Sequence, residues 1–585
     1  MKQQQVIPSA KRIFLFFVFC IITGSLAYVF ISGIESAIDP VSLLPKNTAL
    51  LIDLKKPAVS ITRFRRSRLG RQIASIQWQD VLQEIGMPDE DIQNFLKRTG
   101  EFETAIKSPL FSELVGKRLL LGLIPVPVTE ESRADKANPE HMMVFIARPR
   151  HKASLVDFLS SYFANDFEYT KQPYKGRIIK TYVFDNNISL SASVTDGLVI
   201  ASFFPEVVKR CIDISINNMT TGQSGLQGNR TYDQLKKRAK GSDDLFVYAD
   251  IRNLRNVISR PIGASDYFQR TAVRDNFLPD EFPVRCFAFF RQPRKSLFRY
   301  SSIIQYNSDI VLPRNSFLQN YRPDKDTVLA GLPDDILAHL WTNVFDVDEL
   351  WRFLRNRPNH VIQPYVHNFE TWLLENTTLS VKDFLSLFGR HSSLEVTGIR
   401  SSEFFPMPKV CLRLEVNDRE TVRHLLEQLF TGLHVQQSII SNKKVFSVML
   451  AGGLIQPSYL FSDGFLVIAD SPRQLEKILS QDRKPLLKTS RFNKVDVGLA
   501  ENNNLVIYYR NAELIDGVKE LLLWYSSLLP FYDSNSGRKN KVIVEKIVLP
   551  VLEGMKMYKV KSARVYSTDT ELIIKSAQLL KDDDE

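Results

Sequence analysis

The chain has 585 residues, 44% of them hydrophobic and 24% charged, which excludes a disordered protein and exceeds what one ordinary core can organise. Its net charge of +11 comes from basic residues scattered among acidic ones, a mildly cationic surface rather than a nucleic-acid-binding block, so no nucleic acid partner is expected. Four cysteines with no C-x-x-C spacing exclude a disulfide scaffold and a thiolate metal site.

Residues 1–12 carry Lys2, Lys11 and Arg12, and residues 13–34 then run without a charge. As a helix that run spans roughly 33 Å, enough to cross a hydrocarbon core. It predicts a transmembrane helix at 13–34, and the positive-inside bias makes 1–12 a cytoplasmic N-terminus. The expected placement is a single-pass protein of the bacterial inner membrane with the bulk of the chain periplasmic. A cleaved signal peptide ending near Ser25-Leu26-Ala27 is the competing reading, but the apolar run continues past Tyr28 and favours an uncleaved signal anchor.

After this segment, 49–53 reads as a strand ending at Asp53. Residues 57–76 predict an amphipathic basic helix, with Ile61, Phe64, Leu69, Ile73 and Ile76 between Arg63, Arg65, Arg66, Arg68 and Arg71. Such a helix suits either an anionic lipid surface or, more simply, a solvated face. Residues 108–121 predict a short helix, a stop at Gly116 and a strand. A polar loop at 129–140 follows. Strands are then predicted at 142–147, 178–184, 198–203 and 245–251, with helices at 152–163, 205–214 and 232–239.

This pattern recurs. Asp196, Gly197 and Pro205 are answered by Asp463, Gly464 and Pro472, each 267 residues later, and Phe145 by Leu412 at the same offset. Leu43-Leu44-Pro45 is answered by Gly331-Leu332-Pro333, and Leu245–Tyr248 by Leu505–Tyr508. An internal duplication is the reading. The order β-α-β-β-α-β predicts an α+β protein in which an N-terminal transmembrane helix precedes two tandem duplicated modules. Each module is expected to be a mainly antiparallel sheet with helices on one face, of ferredoxin-like character. The expected boundaries are a first module at 40–312, a linker at 313–326, a second module at 327–580 and an acidic tail at 581–585.

The duplication also weighs against catalysis. Positions shared by the halves are turn glycines, helix-start prolines and apolar core, whereas Asp53 aligns with Trp341 and Asp250 with Arg510. There is no H-E-x-x-H, G-x-S-x-G, P-loop or G-x-G-x-x-G motif. Ser224, within the loop 222–228, lacks the strand-turn-helix setting of a nucleophile. His141, His151, His360, His367, His424 and His434 show no i, i+4 pairing, so no metal ligands, cofactor or catalytic residues are assigned. Residues 285–300 interleave aromatic and basic side chains. They predict a hairpin turning at Gln292-Pro293, with Phe287, Phe289 and Phe298 facing the core. Residues 534–541 predict a polar surface loop. Cys211 and Cys286 are close enough in sequence to pair, but each sits among apolar residues and equally suits a buried free thiol.

In LLPKNTALLIDL, VTDGLVIAS followed by P-E-V, and LFVYADIRNL, the chain resembles a bacterial family of membrane-anchored, envelope-exposed proteins of unknown function. The resemblance implies a periplasmic location over most of 40–580 and no known activity or cofactor. The expected function is non-enzymatic: duplicated modules that bind an envelope protein partner or support an assembly. A carrier or sensor of lipid or another hydrophobic ligand is the alternative, and a hydrolase with one active module the third reading.

Overall fold

The computed structural model describes residues 38–125, 142–150, 169–183, 189–221, 225–239, 243–258, 283–307, 322–344, 351, 355, 363–401, 406–480, 483–532 and 536–581. The expected anchor at 13–34, most of the 313–326 linker, the predicted helix at 152–163 and the 129–140 loop lie outside them. The chain divides into two compact units, Met1–Arg63 with Lys97–Phe290, and Phe64–Leu96 with Arg291–Glu585.

Ten strands come from the first half of the sequence: β1 (Leu50–Lys55), β2 (Arg118–Leu123), β3 (Met143–Arg148), β4 (Tyr169–Tyr174), β5 (Arg177–Val183), β6 (Ser189–Thr195), β7 (Leu198–Ser202), β8 (Leu245–Asp250), β9 (Val284–Arg294) and β10 (Leu297–Tyr306). Ten more follow: β11 (Ala338–Thr342), β12 (Phe388–Ser401), β13 (Pro406–Val416), β14 (Val435–Ile440), β15 (Lys443–Val448), β16 (Ser458–Ser462), β17 (Phe465–Ala469), β18 (Leu505–Arg510), β19 (Tyr558–Ser567) and β20 (Glu571–Leu580).

In the first unit the neighbours run β8–β1–β2–β3–β7–β6–β5–β4, every pair antiparallel. In the second they run β18–β11–β12–β13–β17–β16–β15–β14, continued beyond β18 by β19, β20 and β10. Adding ten to each label of the first order gives the second. Register agrees as well, since Phe145 faces Ala201 and Leu412 faces Ile468.

Within each unit these strands form one continuous antiparallel order, which corrects the expectation of two tandem ferredoxin-like modules. A ferredoxin-like unit splits each helix-linked pair of strands with a third. Here β1–β2–β3 and β4–β5–β6–β7 are meanders in which consecutive strands are neighbours. Neighbour choice is a long-range property that a linear string of elements does not specify.

The single-pass inner-membrane placement, with the N-terminus cytoplasmic and the bulk periplasmic, is also corrected. No helix among the described residues is long and apolar enough to cross a membrane. The long helix Asn511–Tyr532 carries Glu513, Asp516, Lys519 and Glu520 within its first half, and their desolvation opposes insertion.

Local chemistry explains the elements that recur. The β6–β7 and β16–β17 hairpins turn on Asp196-Gly197 (φ 52° and 76°) and Asp463-Gly464 (φ 54° and 82°). Two consecutive positive φ values define the tight turn whose twist suits two antiparallel strands, and glycine adopts the second without a Cβ clash. Each β7-type strand then feeds a helix opened by proline, α1 (Pro205–Thr221) and α2 (Pro472–Leu479). At α2, Ser471 Oγ accepts the Gln474 N–H at 3.3 Å, satisfying a donor that the first turn leaves free.

Three local expectations differ from the structure. The β9–β10 hairpin turns at Lys295-Ser296 rather than Gln292-Pro293, with Lys295 at φ 45°. Its buried side carries Cys286, Ala288 and Phe290, so strand alternation puts Phe287 and Phe289 on the opposite face. Residues Ser536–Ile543 are helical rather than a loop. The basic stretch is two helices, Pro57–Arg66 and Arg68–Ala74, broken where Ser67 caps the second through the Gly70 N–H. Within the second unit, Arg68 is ion-paired with Glu553, and Leu69 packs against Gly554 so closely that a Cβ there would come within 2.7 Å of its Cα.

Replacing Gly464 by Val forces a β-branched residue into the left-handed region at a cost of about 1–2 kcal/mol. The expected outcome is a lower thermal midpoint for Gly464→Val than for Ser462→Val, measured by circular dichroism; equal midpoints contradict this account of the turn.

Candidate functional site

A cluster of buried and half-buried charge lies in the first unit, where β1, β2 and the helix Arg230–Arg238 (α3) meet. Asp53 is fully buried on β1. Arg118, on the neighbouring β2, grips it with two hydrogen bonds, Nε to Oδ1 at 2.7 Å and Nη2 to Oδ2 at 2.8 Å. The third guanidinium nitrogen, Nη1, donates to Asp39 Oδ1 at 2.8 Å, and Gln227 Nε2 donates to Asp39 Oδ2 at 2.7 Å. Lys236 of α3 bridges Asp53 Oδ2 at 3.2 Å and Asp243 Oδ2 at 2.8 Å. Lys55 reaches the other Asp243 oxygen at 3.3 Å.

Three carboxylates therefore meet three cations. Lys236 also lies 4.1 Å from the centre of the Phe246 ring, adding a cation–π contact in a partly desolvated setting. Burial acts to raise the pKa of Asp53, but the hydrogen bond and charge of Arg118, with Lys236 behind them, outweigh it and hold the carboxyl below its ordinary value. Burial likewise opposes the charge on Arg118, and Asp53 overcomes it, raising that pKa. Burial, reinforced by Asp53 and Asp39, pushes the Tyr232 hydroxyl upward. The Asp53–Arg118 pair is thus held in its charged form and the Tyr232 hydroxyl in its neutral form.

The second unit has the same frame with different contents. Register places Trp341 where Asp53 stands, since Asp53 faces Phe246 and Trp341 faces Val506. The same register puts His391 at the Arg118 position. There the ion pair is replaced by a stack: the Trp341 and His391 rings lie 5.7 Å apart at 20°. The helix caps correspond as well, with Asn229 Oδ1 accepting from Thr231 and Tyr232 N–H groups and Thr489 Oγ1 from Phe492 N–H. Tyr232 meets Tyr248 edge-on at 5.4 Å, and Phe492 meets Tyr508 at 5.8 Å. Lys236 is answered by Asp496, whose Oδ1 accepts the Gly498 and Leu499 N–H groups. Asp243 is answered by Asn503, whose amide donates to the Gly498, Leu499 and Glu501 carbonyls.

Sequence reasoning missed two histidine contacts in the second unit. His391 Nδ1 lies 2.9 Å from Glu415 Oε2, which also accepts the backbone N–H groups of Arg390 and His391, and His391 Nε2 lies 3.3 Å from Asp324. His339 Nε2 lies 2.7 Å from Asp326 Oδ2, both side chains fully buried. Asp326 Oδ1 accepts the Val328 and Leu329 N–H groups, so this carboxylate ties a short 3-10 turn to β11. Both pairs join residues from different elements. Only the strand register, absent from the string, brings them together.

Of the residues singled out in the sequence, Asp53 enters the ionic network. Asp250 Oδ1 accepts the Asn253 N–H at 3.0 Å and starts a helix, while its counterpart Arg510 holds Glu513. Cys211, Cys286 and Cys411 are buried, and burial pushes the Cys211 thiol up to about 12. His367, His424 and His434 are exposed. Ser224, His141, His151 and His360 lie outside the described residues. No group of three or more His, Cys, Asp or Glu side chains able to hold a metal occurs among the described residues.

No family model matches the chain, and no curated relative is found. Among solved structures, crystal form I of TP0453 is 7% identical over 46% of this chain and 80% of that one, with a TM-score of 0.24. Crystal form IV is 8% identical over 46% and 81%, also at 0.24. A likeness this low carries no argument about fold or function.

Removing one partner of a buried ion pair strands the other, so Asp53→Asn should destabilise by about 3–5 kcal/mol in urea unfolding. Asp53→Leu with Arg118→Met should recover much of that loss, because Lys236 keeps Asp243 and the one carboxylate that loses its cation, Asp39, is 41% exposed and keeps Gln227. The folded-state pKa of Asp53 lies below its ordinary 3.8, so its contribution is present above that pH and is lost as pH falls beneath it. The double variant should therefore show a shallower acid-side decline in stability. An unchanged acid limb contradicts the assignment.

Proposed function

We propose that the protein is non-enzymatic and binds a protein partner or supports an assembly, its two halves reusing one strand order to present different surfaces. The observation that carries this reading is the fate of the buried polar site. In the first half its acids and bases neutralise one another. In the second the same places hold Trp341, His391, Asp496 and Asn503, each engaged in stacking or in fixing backbone. A reaction needs a group left free to accept or donate a proton, and both versions use their polar atoms to hold the frame. Large apolar side chains meanwhile face solvent in the second unit, with Tyr365 74% and Leu374 58% exposed on the helix Gln363–Thr377, a composition that suits recognition.

The test is affinity capture of the full chain from crosslinked cells, with proteins and lipids measured in the same eluate. One protein at near-stoichiometric yield is expected, and it should persist with Asp53→Leu/Arg118→Met because the ionic site is internal support. Recovery of a stoichiometric lipid with no protein, or loss of the partner with a folded double variant, overturns the reading.

A further inference from the structure

The two halves end in corresponding edge strands, and those strands differ in a way that the shared fold does not require. Among the described residues, β4 pairs only with β5, and β14 only with β15. Each hairpin turns on two residues at positive φ, Lys175-Gly176 and Ser441-Asn442. The pairs flanking these turns, Tyr174 with Arg177 and Ile440 with Lys443, face each other across them. In a two-residue hairpin the flanking pair is hydrogen-bonded, and the bonding direction then alternates along the strand. Met449 N–H donates to the His434 carbonyl at 2.9 Å, which fixes the phase. The N–H and C=O groups of Val435, Gln437 and Ile439 therefore point away from β15, as do those of Tyr169, Lys171 and Pro173 from β5.

Counting back from the turns makes Ile439 the counterpart of Pro173, Gln437 of Lys171 and Val435 of Tyr169. The first edge is closed to further pairing. Pro173 has no N–H to give, and a charged lysine stands at the middle outward position. The second edge carries neither device. From Val435 to Asn442 there is no charge and no proline, and Ile439 is 75% exposed, although an isoleucine on an open edge invites another strand.

We propose that β14 is a self-association edge, where a second copy of this chain adds its own β14 as an antiparallel strand. A two-fold axis through Gln437 lets outward-pointing residues meet. Val435 then faces Ile439 of the second copy, Gln437 faces its own equivalent, and Ile439 loses its exposure against an aliphatic side chain. The contrast with β4 points to a second copy rather than to an unrelated strand. About that axis β14 is its own complement, an amide against an amide and valine against isoleucine, whereas β4 paired with itself would set lysine against lysine. The first half thus carries the residue that blocks self-pairing, and the second carries a neutral amide in its place.

The inference stands apart from the partner-binding reading, since its test uses the purified full chain alone. Sedimentation velocity over a concentration series should show a monomer–dimer equilibrium. Gln437→Lys, which copies the first edge onto the second, should weaken it by at least about tenfold through like charges at the axis. Mixing Gln437→Lys with Gln437→Glu chains should restore a dimer, which a misfolded variant could not do. Ile439→Pro should abolish association while leaving the far-ultraviolet circular dichroism unchanged. A chain that stays monomeric throughout, or a dimer indifferent to Gln437→Lys, overturns the proposal.

Discussion

Each half is arranged around one strand with a face sealed from water. On β1 that face presents Asp53, and on β11 it presents Trp341, both fully buried. Whatever stands there must bring no unanswered charge into a low-dielectric interior. One half meets this constraint by closing three carboxylates against three cations, the other with a ring stacked on a ring. The surrounding parts, a capped short helix on one side and a buried tyrosine from the next strand on another, are the same in both. The frame is thus indifferent to whether its centre is ionic or aromatic, provided that it is filled and neutral.

How far this was legible in the sequence depended on range. Asp196-Gly197 and Asp463-Gly464, Pro205 and Pro472, and the matched strands ending in Tyr248 and Tyr508 were readable because their causes are local: a positive φ, a missing N–H, an alternating face. Within each matched stretch the offset is fixed, as it is from Phe145 to Leu412 and from Asp196 to Asp463, and it carried strand register with it. Sheet order was not readable, because nothing in β3 names β7 as its neighbour. The ionic network was missed for a related reason: Asp39, Arg118, Lys236 and Asp243 are spread over some 200 residues, and only folding gathers them around Asp53. Periodicity alone also misassigned the β9 hairpin, where Phe287 and Phe289 look like core until alternation from buried Cys286 shows them to be on the other side.

Divergence between the halves is confined to side chains that the frame does not dictate. Turn glycines, helix-opening prolines and the buried tyrosines within β8 and β18 persist. The central pair, the loop-holding residues Asp496 and Asn503, and the outward positions of the edge strands change. Holding one architecture twice allows one version to keep a protective feature while the other loses it, without risk to the sheet itself.

Arg68 and Glu553, which pair within the second unit, are separated by 485 residues. On a ribosome adding roughly 5–20 residues each second, about 25 to 100 s pass between the appearance of the first and of the second. The segment 64–96 emerges in the midst of the first unit's own strands and belongs to neither of its neighbours in the growing chain. The nascent protein must therefore carry it idle until Glu553 and the helix around it have been made.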